Sequence, residues 1–429
     1  MAQRPSSSQG LVIRAAFASV LLSVGALASE TAPAVEGQLI VRFKDGVSKK
    51  SIDSVNQFMG GNARPITTAD PQLFVIDLPQ GMDNASALNI YGNLGSVQYA
   101  EENFIYQPIA IPDDPLYPQL WGLPKISAPD AWDITTGDPS VVIADTDTGA
   151  DYNHVDLAAN VWVNQGEICN NGIDDDNNGY IDDCIGWNFF NGTNDPIDQT
   201  ALGGGHGTNT AGIMGAVGNN GIGVTGVMWN AQIMILKMGN GSFPLTAIIP
   251  AIDYAWQNGA RIINASWGGR GASTPMRDAI QRANDAGVLF VAAAGNNGTN
   301  NDVTPFYPAN YDVPNIISVA NTTQLDLLRT TSPEPSNWGP NTVHLGAPGT
   351  NIISTYPGGR YVAFVGTSQA APHVAATAGL ILSVNPNLGV ADVKNIILSS
   401  VDPIAALQDK VITGGRLNAG AAVQNTPLP

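Results

Sequence analysis

Positive charge is what this sequence has least of. Over 429 residues it carries 18 Lys and Arg against 36 Asp and Glu, a formal net charge of −18 at pH 7. So few cations argue against nucleic acid or an anionic membrane as a partner, since both are bound through basic patches. Charge of either sign is sparse, 13% against 44% hydrophobic residues. That composition describes a folded chain, long enough for a large core and more than one domain. Neither internal repeats nor low-complexity segments occur. Of only four histidines, His154, His344 and His373 lack a second histidine at metal-ligand spacing and read as structural. Cysteine is limited to Cys169 and Cys184, and neither lies near a motif histidine, which argues against a thiol nucleophile. After residue 28 no apolar run is long enough to span a bilayer. Glycine is plentiful, at 47 residues, and implies many tight turns and close backbone approaches.

Residues 1–28 have the character of a secretory signal. Arg4 and Arg14 are their only charges, 15–28 is apolar but short for a span, and Ala26, Leu27 and Ala28 close it. Cleavage is expected before Ser29; an uncleaved anchor is the rival reading. Residues 29–108 form a small domain, with strands expected at 38–43, 64–67, 73–78 and 97–106 and helices at 51–59 and 85–94. That is the split βαβ order of a ferredoxin-like α+β domain. Prolines and Asp113-Asp114 mark 109–119 as an exposed linker. From 120 to 429, apolar strands are expected at 141–144, 233–237, 262–266, 288–293 and 316–319. Helices at 245–257 and 274–286 alternate with them, giving an α/β fold with a doubly wound, mostly parallel sheet.

Four short stretches of this larger domain carry candidate chemistry. Ser368 lies in Gly366-Thr367-Ser368-Gln369-Ala370-Ala371-Pro372-His373, a loop expected to enter a buried helix with Pro372 in its first turn. A helix start suits a nucleophilic hydroxyl, and it equally suits a plain capping serine. Asp147 lies in Asp145-Thr146-Asp147-Thr148-Gly149 at the C-terminal end of a strand, where parallel sheets keep their chemistry. His206 opens a helix of small residues, and Asn296 ends a strand with an amide that could face a reacting oxygen. Aspartic proteases also use Asp-Thr-Gly, but they need two such loops and one is present.

In this order the four motifs resemble those of subtilisin-like serine proteases, and the similarity runs from about 120 to 422. The small domain is similar to that family's inhibitory propeptide. The resemblance implies a secreted, monomeric endopeptidase that processes itself, with polypeptide substrates and its own propeptide, an intramolecular inhibitor, as partners. It makes Ser368 the nucleophile, His206 the general base and acid, and Asp147 the group that orients the imidazole. The Asn296 side chain and the Ser368 backbone N–H would hold the oxyanion. Ser266, Trp267, Gly268 and Gly269 would line the cleft and pair with substrate backbone. Several positions depart from the family pattern. Gln369 stands where methionine is usual, Asn209 where a second histidine is, and Val365 where serine or alanine is common. Pro333 and Pro335 are also unusual. Asp145 occupies a normally apolar position on the strand face of Asp147, so it needs a polar partner or shifts the pH dependence of the triad. These departures support a competing reading, a catalytically impaired calcium-binding scaffold on the same fold. A transacylase using the same triad is a third.

An acidic stretch follows the first nine positions of a calcium loop. Asp174, Asp176, Asn178 and Asp182 supply side-chain oxygens, Tyr180 a backbone carbonyl, and Gly179 the turn. Ile185 replaces the closing glutamate, so the loop is not a complete EF-hand; a solvated Asp/Asn loop is the alternative. Cys169 and Cys184 flank it and, in an exported protein, are expected to pair as a disulfide, worth about 3 kcal/mol for such a loop. The family resemblance suggests a second structural Ca²⁺ site from Asp156, the Asn220 side chain and the Ile222 and Val224 carbonyls. Asn219 to Val224 is also consistent with a simple Gly/Asn turn.

Overall fold

The computed structural model describes residues 34–105, 111–199 and 204–429, so the expected signal at 1–28 lies outside the described residues. The chain divides into two compact units, Met1–Gln107 and Pro108–Pro429.

In the first unit the order is β1 (Ala34–Phe43), α1 (Lys49–Met59), β2 (Asn62–Pro65), β3 (Leu73–Asp77), α2 (Asn84–Gly92) and β4 (Val97–Phe104). Its antiparallel sheet runs β2-β3-β1-β4, the ferredoxin-like order expected from the sequence. Alternation along β1 buries Leu39, Val41 and Phe43. The side chains of Ser48 and Asp83 cap α1 and α2 by accepting first-turn N–H groups.

The second unit begins with two short helices, α3 (Gly122–Lys125) and α4 (Ala128–Trp132), and then β5 (Val142–Asp147), β6 (Gly186–Asn188), α5 (His206–Gly215), β7 (Gln232–Lys237), α6 (Leu245–Gln257), β8 (Ile262–Ala265), α7 (Thr274–Asp285), β9 (Leu289–Ala293) and β10 (Ile316–Thr322). It continues with β11 (Leu345–Pro348), the hairpin β12 (Ile352–Tyr356) and β13 (Arg360–Phe364), α8 (Thr367–Val384), α9 (Val390–Ser399), β14 (Asp402–Pro403), β15 (Gly415–Arg416) and α10 (Ala419–Gln424). The large sheet has the order β14-β15-β11-β10-β9-β8-β5-β7-β6. Its pairs are parallel except β14 with β15.

Strand alternation builds two cores, one on each face. Ile143, Val291 and Ala293 pack with α5, α8 and α10, whereas Val142, Ala144 and Phe290 pack with α6 and α7. This is the doubly wound arrangement expected from alternating strands and helices. Asp145 and Asp147 share the Ile143 face of β5, the face covered by α5 and α8.

Two local expectations need refinement. Residues 111–119 expose Ile111, Asp113, Pro115, Pro118 and Gln119 but bury Pro112 and Asp114. Asp114 is buried, and its Oδ2 accepts from the Asn219 N–H at 2.7 Å. Pro372 is not in the first turn of α8, which begins at Thr367. It lies one turn deeper, where its missing N–H leaves the Ser368 carbonyl without a helical donor. The Ser266 hydroxyl donates to that carbonyl instead, at 2.8 Å.

Candidate active site

The C-terminal ends of β5, β8 and β9 meet the N-terminal ends of α5 and α8. Asp147 is the last residue of β5 and His206 the first of α5. The Asp147 carboxylate is fully buried and accepts from the Thr148 N–H at 2.7 Å. His206 Nδ1 lies 2.8 Å from Asp147 Oδ1 and 2.9 Å from Oδ2. With Nδ1 donating to the carboxylate, Nε2 carries the lone pair in the neutral ring. Burial opposes the charged imidazolium, but the charge of Asp147 and its hydrogen bond outweigh that and raise the His206 pKa. The approach of α5 to β5 requires Gly207, where a Cβ would sit 2.1 Å from the Gly149 carbonyl oxygen. Asp198 fixes the helix start by accepting from the Gly205 and Thr208 N–H groups at 3.0 and 3.1 Å.

Ser368 is the second residue of α8. Its hydroxyl donates to the Ser266 carbonyl at 2.8 Å, so in this structure it is turned toward β8. The Ser368 N–H belongs to the first helical turn, whose N–H groups have no intrahelical acceptor. Asn296 follows β9. Its Oδ1 accepts from both the Thr367 N–H, at 2.8 Å, and the Thr367 hydroxyl, at 2.9 Å. Because the amide oxygen is taken, the Nδ2 hydrogens are the ones left to donate. Any Cβ on Gly366 would stand 3.1 Å from that nitrogen, so glycine keeps the approach open.

One cleft of about 860 Å³ is lined by His206, Ser266, Trp267, Gly268, Gly269, Asn296 and Ser368. Trp267 is nearly buried, and its indole N–H donates to the Thr146 hydroxyl at 3.1 Å. Gly269 gives its own N–H and C=O to Tyr307, each at 2.7 Å, so its backbone is already paired. Phe243, Phe306, Tyr307 and Glu334 also line the cleft. Sequence reasoning missed them because they lie far from the motifs along the chain. Pro333 and Pro335 flank Glu334, and the Pro335 carbonyl accepts from the Gly298 N–H at 2.8 Å, bracing the loop that carries Asn296.

The departures from the family pattern meet one another. Gln369 Nε2 lies 3.4 Å from Asn209 Oδ1, and Asn209 Nδ2 donates to the Val362 carbonyl at 3.2 Å. Asp145 has polar partners in Thr210 and Asn264, each at 2.9 Å. The three remaining histidines are held within the fold. His154 Nε2 lies 3.1 Å from the Arg360 carbonyl, His344 Nδ1 accepts from the Ser318 N–H at 3.0 Å, and His373 Nδ1 lies 2.8 Å from the Gln369 carbonyl. Burial pushes His344 down to about 3 and His373 down to about 4.

Away from the cleft, the acidic loop brings carboxylate oxygens of Glu167, Asp176 and Asp183 within 4.8 Å of one another. Asn164 Nδ2 bridges Asp176 and Asp183 at 2.9 Å to each. Asn178 Nδ2 likewise reaches both, at 3.0 and 2.8 Å. Asp174 instead accepts the Asn178 and Gly179 N–H groups at 3.0 and 2.8 Å, and Asp182 accepts those of Asn171 and Gly172 at 2.9 and 3.0 Å. Those two carboxylates shape turns, while Glu167 and Asp183, which the nine-position template omits, join the cluster. The Tyr180 ring packs edge-on against Trp187, Phe189 and Tyr254. A Cys169–Cys184 disulfide closes the loop. At the second expected site Asp156 accepts from Asn220 Nδ2 at 2.9 Å and from the Val224 N–H at 2.8 Å, and the Ile222 N–H donates to Asn220 Oδ1 at 2.7 Å. Asp114 and Asp113 hold the same turn.

A family model described as the subtilase family matches residues 138–421, and one described as the fervidolysin N-terminal prodomain matches 24–103. The thermophilic serine proteinase of Bacillus sp. (strain AK1) is 33% identical over 393 residues, covering 91% of this chain and 88% of that protein. Thermitase of Thermoactinomyces vulgaris is 36% identical over 316 residues, covering 73% of this chain and 99% of thermitase. Among solved structures, a protease of Pseudoalteromonas arctica PAMC 21717 superposes with a TM-score of 0.60 at 29% identity, covering 74% of this chain and 100% of that one.

Proposed function

The chain belongs to the subtilase family and is a serine protease with an N-terminal prodomain; from that premise we propose a secreted endopeptidase working through Asp147, His206, Ser368 and Asn296. The observation that carries this reading is the pairing of Asp147 with His206 beside an Asn296 amide whose oxygen is tied to Thr367. The Ser368 hydroxyl turns from the Ser266 carbonyl to His206 Nε2, and its oxygen bonds to the peptide carbonyl carbon as its proton passes to the imidazole. Asn296 Nδ2 and the Ser368 N–H receive the negative oxygen. Collapse breaks the C–N bond, and His206 gives its proton to the departing amine. Water, deprotonated by the same imidazole, then releases the acyl group. Ser266, Trp267, Gly268 and Gly269 form one wall for the substrate.

In this reading residues 1–28 are the export signal, 29–108 the inhibitory propeptide and 120–429 the catalytic domain. Glu167, Asp176 and Asp183 would hold a structural Ca²⁺, because three carboxylates this close suit a hard cation with oxygen ligands. The Asp156 and Asn220 turn would hold a second. A fluorophosphonate probe tests the nucleophile directly. It should label the wild type on Ser368 and leave Ser368→Ala unlabelled. No labelling of wild type, with no hydrolysis of casein, would favour the impaired scaffold.

A further inference from the structure

Asp145 has no part in the chemistry above, yet it lies two residues from Asp147 on the same strand face and is only 2% exposed. Three elements close around it. Its Oδ2 is 2.9 Å from the hydroxyl of Thr210, one turn after His206 on α5. Its Oδ1 accepts from Asn264 Nδ2 of β8 at 2.9 Å. The same Asn264 nitrogen donates to the Ser266 hydroxyl at 3.0 Å, and that hydroxyl donates to the Ser368 carbonyl.

An ionised carboxylate can accept about four hydrogen bonds, and here two donors face it. The charged groups nearby are otherwise engaged. His206 is held by Asp147, and Lys237 at the end of β7 donates to the Thr148 and Ile197 carbonyls. Asp198 adds another negative charge near α5. β7 offers the apolar Ile235 opposite Asp145, and the histidine of α8, His373, is occupied by the Gln369 carbonyl. A proton on Asp145 removes the conflict with Asp147. It also fits the contacts, because Thr210 can accept it while donating its own hydrogen to the Gly207 carbonyl at 3.0 Å.

We propose that Asp145 is a proton-bearing positioning residue behind the triad, tying the strand of Asp147 to the helix of His206 and, through Asn264 and Ser266, to the backbone of Ser368. The inference rests on the triad reading for its effect on catalysis, but the proton itself does not. Burial and the neighbouring Asp147 charge push the Asp145 pKa up, so the link would open as pH rises and the proton is lost.

The test compares the pH dependence of kcat/KM in wild type, Asp145→Asn and Asp145→Val. Asparagine can donate to Thr210 and accept from Asn264 without ionising. Asp145→Val should lose about tenfold or more where Asp145 holds its proton, and the deficit should shrink as pH rises. Asp145→Asn should recover most of that loss and lack the alkaline fall that wild type shows. Superimposable wild-type and Asp145→Asn profiles, or no recovery by asparagine, would overturn the proposal. Infrared spectra in a Ser368→Ala background read the proton without activity. A protonated-carboxyl band at neutral pH should vanish with Asp145→Asn, and its absence or persistence would count against the assignment. Retained hydrolysis in Ser368→Ala would instead sink the triad reading, leaving the infrared result to stand alone.

Discussion

In the proposed mechanism His206 accepts the serine proton only when neutral, and its pairing with Asp147 raises its pKa. Activity should therefore fall as pH drops through that raised value, with the acid limb of kcat/KM above the ordinary imidazole value of about 6.5. Asp147→Asn should move that limb downward and cost about 10⁴ in kcat. Asn296→Ala should cost about 10²–10³ in kcat, the loss found when one oxyanion donor is removed from subtilisin. Asp145 predicts the opposite sign in stability. Its raised pKa means that the native state holds a proton the unfolded chain has lost. Stability from this source is full below the ordinary carboxylate range and declines as pH rises through the raised native value. Urea unfolding in a Ser368→Ala background should show that decline, and Asp145→Asn should abolish it. At this scale, the sequence made Asp147, His206, Ser368 and Asn296 legible because each sits in a short motif. It could flag Asp145 as anomalous but could not name Thr210 or Asn264, which are 65 and 119 residues away.

The elements that were easiest to read are those whose apolar runs fill a core, such as β7, β8 and β9. The two-residue strands β14 and β15 carry too little pattern to be seen, and they form only by pairing beside β11. Pro372 shows how a tertiary partner changes an element. It is tolerated in the second turn of α8 because Ser266 satisfies the carbonyl it leaves free. Ser266→Ala should cost about 1–3 kcal/mol in urea unfolding, the range for an orphaned buried polar group. The cleft was likewise unreadable as a surface, because its walls come from separated segments. Glu334 is the carboxylate among the described residues lining it. Peptides with Lys or Arg near the cut should gain about two- to fivefold in kcat/KM over acidic ones at low salt. Glu334→Gln or added salt should erase that difference.

For the whole molecule, two units were legible in the order of elements, and the reading of the first as a prodomain came from the family resemblance, while the carboxylate cluster required the folded loop. The calcium template chose Asp174, Asp176, Asn178, Tyr180 and Asp182; of these the Asp174 and Asp182 carboxylates accept backbone N–H groups of turns. Glu167 and Asp183 approach Asp176 only once the loop has closed. If the cluster binds Ca²⁺, raising free calcium to a hundred times its Kd should add about 2.7 kcal/mol of stability. Glu167→Gln with Asp183→Asn should remove that increment in thermal unfolding. The central claim is that this chain is a self-processing protease whose nucleophile is Ser368. The most direct measurement is the intact mass of the secreted wild type beside Ser368→Ala, both expressed with calcium. Wild type should lack the 29–108 domain and the variant should retain it; retention by both proteins would contradict the account.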